Sequence, residues 1–165
     1  MELVIVLVAG LLAFRLAGRL GVTRFGTWRA SAAHALAVMV VMAASAHFVP
    51  AGVTVMPNHA DLVRMVPPFV PLPDLVVYLT GVLELMGAAG LVLATTRRAA
   101  ALCLAALFVA LLPANIYAAV SGAEFNGGEA TPLWLRIPEQ ALYIGVALWV
   151  AAAPARARRL AAVRT

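Results

Sequence analysis

One carboxylate, Glu84, stands inside a long apolar run that follows a proline-rich stretch. An acid near the middle of a membrane is costly to bury, and such residues usually face a bundle interior and serve a function. Thr80 lies four residues before Glu84 and shares its helical face. His47 ends an earlier apolar run, where it can relay protons to Glu84. We therefore predict that Glu84 and His47 are catalytic residues. The alternative is a protonated Glu84 that serves helix packing.

A second group of polar residues falls in later apolar runs. Like Glu84 and His47, these residues are predicted to lie in the outer half of the membrane. Arg136 and Gln140 are four residues apart, so they share a helical face with Tyr143. Asn115 and Tyr117 belong to the motif Pro113-Ala-Asn115-Ile-Tyr117, whose proline can kink a helix. These positions predict an outward-opening pocket with the ligand-binding residues Asn115, Arg136, Gln140, Tyr117, Thr80 and Tyr143.

Each member of this second group also has a structural interpretation. Arg136 either pairs with Glu84 or binds an anionic group, or it only extends to the membrane interface. Pro138 either kinks its helix or occupies the first turn, in which case Glu139 and Gln140 are capping groups. Asn115 can also serve packing by bonding a neighbouring helix.

Metal and thiol chemistry have little support in the sequence. His47, His59 and Asp61 are metal-ligand types, but their spacing fits no known metal signature, so we predict no metal site. The single cysteine, Cys103, cannot form an internal disulfide.

Composition places these residues in a membrane. The 165 residues are 64% hydrophobic and 12% charged, with a mean hydropathy of +0.99, whereas soluble domains are about half apolar and about a quarter charged. We predict an all-α integral membrane protein with a single domain, residues 1–165. The net charge of +5 does not indicate a nucleic-acid partner, because the arginines lie between apolar runs.

Five apolar segments are long enough to cross about 30 Å of hydrocarbon. They cover about 2–20, 28–49, 74–95, 99–120 and 132–153. Between the second and third lies a proline-rich outer loop, 50–73, which we expect to be an ordered cap because proline stiffens the chain. A basic tail, 154–165, follows the last segment.

The arginines orient these segments. All but two of the twelve, Arg64 and Arg136, lie in the first connection, the third connection or the tail. Positive charge favours the cytoplasmic side, so the N-terminus is predicted outside and the C-terminus in the cytoplasm. The predicted location is the cell inner (plasma) membrane, with the lipid bilayer as partner.

Five motifs together resemble the DoxX-like membrane proteins, over roughly residues 28–153. They are His47-Phe-x-x-Pro50, Met65-Val-Pro-Pro68, Leu79-Thr-Gly-Val-Leu-Glu84-Leu-x-Gly87, Pro113-Ala-Asn115-Ile-Tyr117 and Arg136-Ile-Pro-x-Gln140. The resemblance implies a four-helix membrane bundle, here with one extra N-terminal helix. It also implies an association with quinone-linked oxidoreductases and redox partner proteins.

Three functions fit these residues. In the first, the protein is a membrane subunit of a redox system and binds a quinone or similar lipophilic molecule from the outer leaflet. In the second, it is a non-catalytic chaperone that holds a lipid or a partner protein. In the third, it is an acid–base enzyme on a small lipophilic substrate, with Glu84 as the acid.

Overall fold

A computed structural model shows a mainly helical protein and describes residues 1–53, 55–125, 127–129 and 131–152. The longer helices are α1 (Glu2–Arg19), α2 (Trp28–Ser45), α4 (Pro73–Val92), α5 (Arg97–Ala110), α6 (Leu112–Ser121) and α7 (Leu133–Ala151). A 3-10 turn (Thr23–Phe25), a short helix α3 (His59–Met65) and a hairpin of β1 (Glu124–Phe125) and β2 (Gly128–Glu129) complete the order. The predicted helical class is confirmed. The basic tail predicted at 154–165 lies outside the described residues.

Within the part of the chain that the structure describes, three helical stretches are long and apolar enough to cross a membrane: α2, α4 and the combined stretch Arg97–Ser121 of α5 and α6. Large apolar side chains such as Leu79, Leu83 and Met86 of α4 point outward and are about half exposed or more. An exposed apolar surface of this kind is compatible with contact to a lipid bilayer. The helices therefore indicate a membrane protein.

The helix boundaries differ from the predicted segments where turns replace helix. The segment predicted at 28–49 ends as helix at Ser45, and turns follow over residues 46–48. The segment predicted at 74–95 ends at Val92. The segment predicted at 99–120 begins at Arg97 and is divided at Leu111, two residues before Pro113, which has no backbone donor for a helical hydrogen bond.

Four of the helical units form a ring around the core. Helix α2 packs against α4 and α7, and α5 packs against the same two helices from the opposite side. Helix α1 lies outside this ring, against α2. Small residues permit the close packing: a Cβ on Gly90 of α4 would lie 2.7 Å from the Cβ of Ala100 in α5.

The two ends of the ring differ in charge. At one end, Arg24 before α2 and Arg97 at the start of α5 both donate to the carbonyl of Val92, where α4 ends. At the other end lie the end of α2, the loop 50–73 and the start of α4. The arginines of the first and third connections therefore share one end of the molecule.

The loop 50–73 contains the helix α3, which the sequence analysis had not predicted. Asn58 caps α3 by accepting from the backbone of Asp61, and the Asp61 carboxylate accepts from the backbone of Asn58. Arg64 donates to the same carboxylate, which is 2% exposed. This reciprocal capping explains why an aspartate is buried in a loop.

Candidate functional site

The centre of the candidate site is a buried contact between His47 and Glu84. His47 lies in the turns after α2, and its Nε2 is 3.4 Å from Oε2 of Glu84 on α4. Both residues are less than one-tenth exposed. Since 3.4 Å exceeds a well-formed hydrogen bond, we describe the contact as an ion pair, and no described residue donates to that Glu84 oxygen.

The other ring nitrogen fixes the orientation of His47. Nδ1 lies 2.6 Å from the carbonyl oxygen of Val77 and so donates to it. The hydroxyl of Thr80, which donates to the carbonyls of Val76 and Val77, lies 3.4 Å from the same nitrogen. With Nδ1 committed to a carbonyl, a proton between His47 and Glu84 belongs to Nε2 or to the carboxyl group.

A glycine on α4 makes room for this histidine. A Cβ added to Gly81 would lie 2.6 Å from the Cβ of His47 and 2.7 Å from its Cγ. Any larger residue at position 81 therefore collides with the His47 side chain. Gly81 and Glu84 lie on the same buried face of α4, so one face of the helix provides both the space and the charge.

The surroundings of His47 act on its protonation in opposite directions. Burial lowers the pKa of His47, whereas the adjacent Glu84 carboxylate and the carbonyl of Val77 raise it. The raising effects prevail, and the pKa lies above its ordinary value of 6.5. His47 is therefore protonated over a wider pH range than a free histidine.

A second histidine–carboxylate pair lies closer to the surface. His59 of α3 places Nε2 at 3.1 Å from Oδ1 of Asp74 and Nδ1 at 2.9 Å from the backbone oxygen of His47. Its ring also stacks on Tyr78, with centroids 4.1 Å apart. Both ring nitrogens of His59 therefore face oxygen atoms, one from a side chain and one from the backbone.

An open cleft of about 520 Å³ lies beside this second pair. Its polar walls are His59, Arg64, Asp74 and Tyr78. Phe48, Val49, Pro50, Ala51, Ala60 and Val63 supply the apolar walls. His59 in the cleft wall contacts the backbone oxygen of His47, so the cleft adjoins His47, although neither His47 nor Glu84 lines it.

A family model described as a domain of unknown function, DUF8561, matches residues 36–151, which include both histidine–carboxylate pairs and the cleft. The chain belongs to the DUF8561 family. Helix α1 lies outside the matched range. No curated protein and no solved structure matches the chain.

Of the predicted site residues, the structure of this DUF8561 member brings Glu84, His47 and Thr80 together. The side-chain amide of Asn115 donates to the carbonyl of Leu111, 3.1 Å away, the residue that precedes its own helix α6. The structural alternative, a bond from Asn115 to a neighbouring helix, is therefore not the bond that its amide nitrogen makes. The amide instead supports the break between α5 and α6.

Arg136 has an ionic partner other than the predicted Glu84. Its Nη1 lies 4.0 Å from a carboxylate oxygen of Glu139, one turn further along α7. The other oxygen of Glu139 lies 2.8 Å from the amino group of Met1. Among the described residues, no ion pair joins Arg136 to Glu84. Glu84 and Glu139 are thus separate buried acids in this DUF8561 member, and each lies beside its own cationic group.

Helix α7 also decides the role of Pro138. The helix begins at Leu133, so Pro138 lies inside it and Glu139 and Gln140 are not capping groups. Gln140 and Tyr143 are both buried, and Tyr143 packs against Phe108 with ring centroids 6.2 Å apart. Tyr117 is half-buried on α6.

Asp74 and Tyr78 were not predicted as partners of His59. A signal was present: the two residues are four apart in the first turns after the prolines, and so share a helical face. Asp61 was considered as a metal-ligand type, and no metal site was predicted; its capping role was not predicted either. The pattern Asn58-x-x-Asp61 at the start of α3 is a capping signal, and the structure uses it as one.

Proposed function

We propose that this chain is a DoxX-like membrane subunit of a redox system. It binds a quinone or similar lipophilic molecule at the outer end of the bundle and exchanges protons with it through His47 and Glu84. The observation that carries the proposal is the buried His47–Glu84 pair. A buried acid beside a histidine whose pKa is raised above 6.5 is suited to proton exchange near neutral pH.

The cleft supplies a binding site of suitable size and chemistry. Its volume of about 520 Å³ falls within the usual range for small-molecule pockets, roughly 300 to 1,000 Å³. Its charged walls already have opposite partners, because His59 pairs with Asp74 and Arg64 pairs with Asp61. This internal balance favours a neutral head group, such as a quinone ring, over an anionic one.

Proton exchange is the part of the reaction that this chain's own residues support. Reduction of a quinone to a quinol takes up two electrons and two protons. In the proposal, the electrons come from a partner redox protein, and Glu84 and His47 transfer protons to and from the quinone oxygens. Asp74, whose side chain is 73% exposed, connects this end of the molecule with water.

Membrane orientation is part of the same proposal. All five helical segments, with α5 and α6 as one, cross the bilayer, and the arginine-rich end faces the cytoplasm. The ring of four units with α1 outside it agrees with a DoxX-like bundle plus an extra helix.

Reporter fusions at the C-terminus test this orientation. A fluorescent protein that folds only in the cytoplasm should be bright, and an alkaline phosphatase that is active only outside the cytoplasm should be inactive. The reverse result would place the arginine-rich end outside and refute the orientation.

Binding of a short-tailed ubiquinone analogue to the purified protein tests the proposed ligand site. Ala60→Phe places a large ring in the cleft and should weaken binding at least about tenfold, because the head group loses its space. Ala106→Phe is the control, since Ala106 is exposed on α5. Calorimetry or native mass spectrometry reads out both variants.

The outcomes separate the proposed functions. Weakened binding in Ala60→Phe alone supports the quinone proposal. No binding of the analogue to the unmodified protein would refute that proposal. If a co-purifying lipid occupied the cleft instead, the non-catalytic lipid-binding function would take its place.

A further inference from the structure

Among the described residues, the arginines at the arginine-rich end of the molecule form no ion pair with a carboxylate. This end contains Arg15, Arg19, Arg24, Arg29, Arg97 and Arg98. The seven acids of the sequence are at positions 2, 61, 74, 84, 124, 129 and 139, and none falls in the first connection, the third connection or the tail. Unlike the cleft, this end has no internal balance of charge.

Two of these guanidinium groups converge on one backbone oxygen. Nη2 of Arg24 lies 3.1 Å from the Val92 carbonyl oxygen, and Nη2 of Arg97 lies 3.4 Å from the same atom. The Nε of Arg97 donates to the preceding carbonyl, Leu91, at 2.9 Å. The two cations are therefore held close together by the end of α4, although like charges repel.

The Nε of Arg24 is fixed by a neutral partner. It donates to Nε2 of His34 at 3.0 Å, and Nδ1 of His34 in turn donates to the Ala30 carbonyl at 2.7 Å. A histidine that accepts through one nitrogen and donates through the other is uncharged. His34 therefore positions Arg24 without neutralising it.

Both guanidinium groups keep hydrogen-bond donors for a ligand. The bonds above use Nε and Nη2 of each arginine, and no described residue accepts from either Nη1. Two converging guanidinium groups with free donors match the geometry of a phosphate group, which accepts through several oxygens. The carbonyl dipoles at the end of α4 compensate only part of their charge.

The position of the pair indicates where a phosphate would come from. Arg24 precedes α2, Val92 ends α4 and Arg97 begins α5, so the pair lies at the ends of all three membrane-capable helices. Leu20 and Leu93, which lie four residues before Arg24 and Arg97 respectively, are 78% and 55% exposed. A phospholipid at this level can place its head group on the arginines and its acyl chains along the helices.

We propose that Arg24 and Arg97 form a binding site for a phosphate group, supplied by the head group of an anionic phospholipid. The site is separate from the cleft and does not depend on the function proposed above.

Native mass spectrometry of the detergent-solubilised full chain, with phosphatidylglycerol or phosphatidylcholine of equal acyl chains, tests the site. Arg97→Gln should lower phosphatidylglycerol affinity at least about tenfold, since it removes charge-assisted hydrogen bonds. Arg98→Gln is the matched control: it removes the same charge from the next residue, which is exposed. It should change affinity no more than about threefold, because a solvent-exposed charge is screened by salt.

A second variant and a second measurement distinguish loss of the binding site from loss of the fold. Arg97→Gln also removes a cap from α4, so Arg24→Gln is tested in parallel and should lose affinity in the same way. The variants are compared by how much phosphatidylglycerol raises the melting temperature of each one, and not by the melting temperatures themselves. A rise in the unmodified protein and in Arg98→Gln, but not in the other two, supports the site.

Inorganic phosphate distinguishes the two sources of the ligand. Stabilisation by phosphatidylglycerol but not by inorganic phosphate assigns the site to lipid. Stabilisation by inorganic phosphate alone, lost in Arg97→Gln, supports the phosphate site and assigns it to a soluble anion. Equal losses in Arg97→Gln and Arg98→Gln, or equal binding of the two lipids, would overturn the inference.

Discussion

Gly81→Leu should lower the melting temperature of the bundle by roughly 10 °C, the size expected for about 3 kcal/mol of overpacking in a chain of this length. The reason is steric: even the first side-chain carbon at this position would lie 2.6 Å from His47. To accommodate leucine, His47 must leave its position between Val77 and Glu84. The buried carboxylate then loses its cation, which adds an electrostatic cost.

Gly145→Leu is the control for this substitution. Gly145 lies on an exposed face of α7, and a Cβ there would meet no atom within 4 Å. Both substitutions replace a helical glycine by a strong helix former, so the gain in helix propensity is the same, about 1 kcal/mol or less. Thermal unfolding in one detergent compares them directly. Equal melting temperatures would mean that Gly81 does not determine the position of His47.

The helices were predictable because their signal is local. Apolar runs interrupted by arginines and prolines located α1, α2, α4 and α7 to within a few residues, since hydropathy along the chain reports directly on helix length. The end of α2 was less accurate. The residues after Ser45 are apolar except for His47, but they turn instead of continuing the helix, and the turn carries His47 toward α4.

Side-chain pairs could be predicted only where the depth of each residue in the membrane and the helical face on which it lies are enough to identify its partner. Glu84 and His47 were placed at the same end and meet at 3.4 Å. Arg136 was placed at a similar depth, but it contacts Glu139 on its own helix. Depth follows from counting residues, whereas the partner depends on how each helix is rotated about its axis, and the sequence alone does not determine that rotation.

The proline-rich loop shows another limit. Its prolines predicted a stiff segment, but the helix α3 depends on the reciprocal bonds of Asn58 and Asp61 and on Arg64. These bonds place His59 between Asp74 and the backbone of His47. The surface pair therefore depends on three segments that are separate in the sequence, and such contacts are not visible in a local pattern.

Glu84→Gln should keep the fold but remove the proton-transfer function of the pair. The amide has nearly the same shape as the carboxylate, so the packing of α4 is retained, but it cannot exchange protons with His47 or with a bound quinone. Proton-coupled reduction of a short-tailed ubiquinone analogue, measured with its redox partner, should fall about 100-fold or more. Glu124→Gln is the control, because Glu124 is an exposed acid outside the site.

The pH dependence of stability gives a readout that does not need the partner. The folded-state pKa of His47 is raised, because Glu84 and the Val77 carbonyl outweigh the opposing effect of burial. A raised histidine pKa contributes stability that is fully present below its ordinary value of 6.5 and is lost as pH rises through the higher folded value. The unmodified protein should therefore exceed Glu84→Gln in melting temperature most at about pH 5.5, and the difference should shrink toward about pH 8.5. A difference that is constant across this range would show that His47 and Glu84 do not share a titrating proton, and the proposed proton exchange would lose its chemical basis.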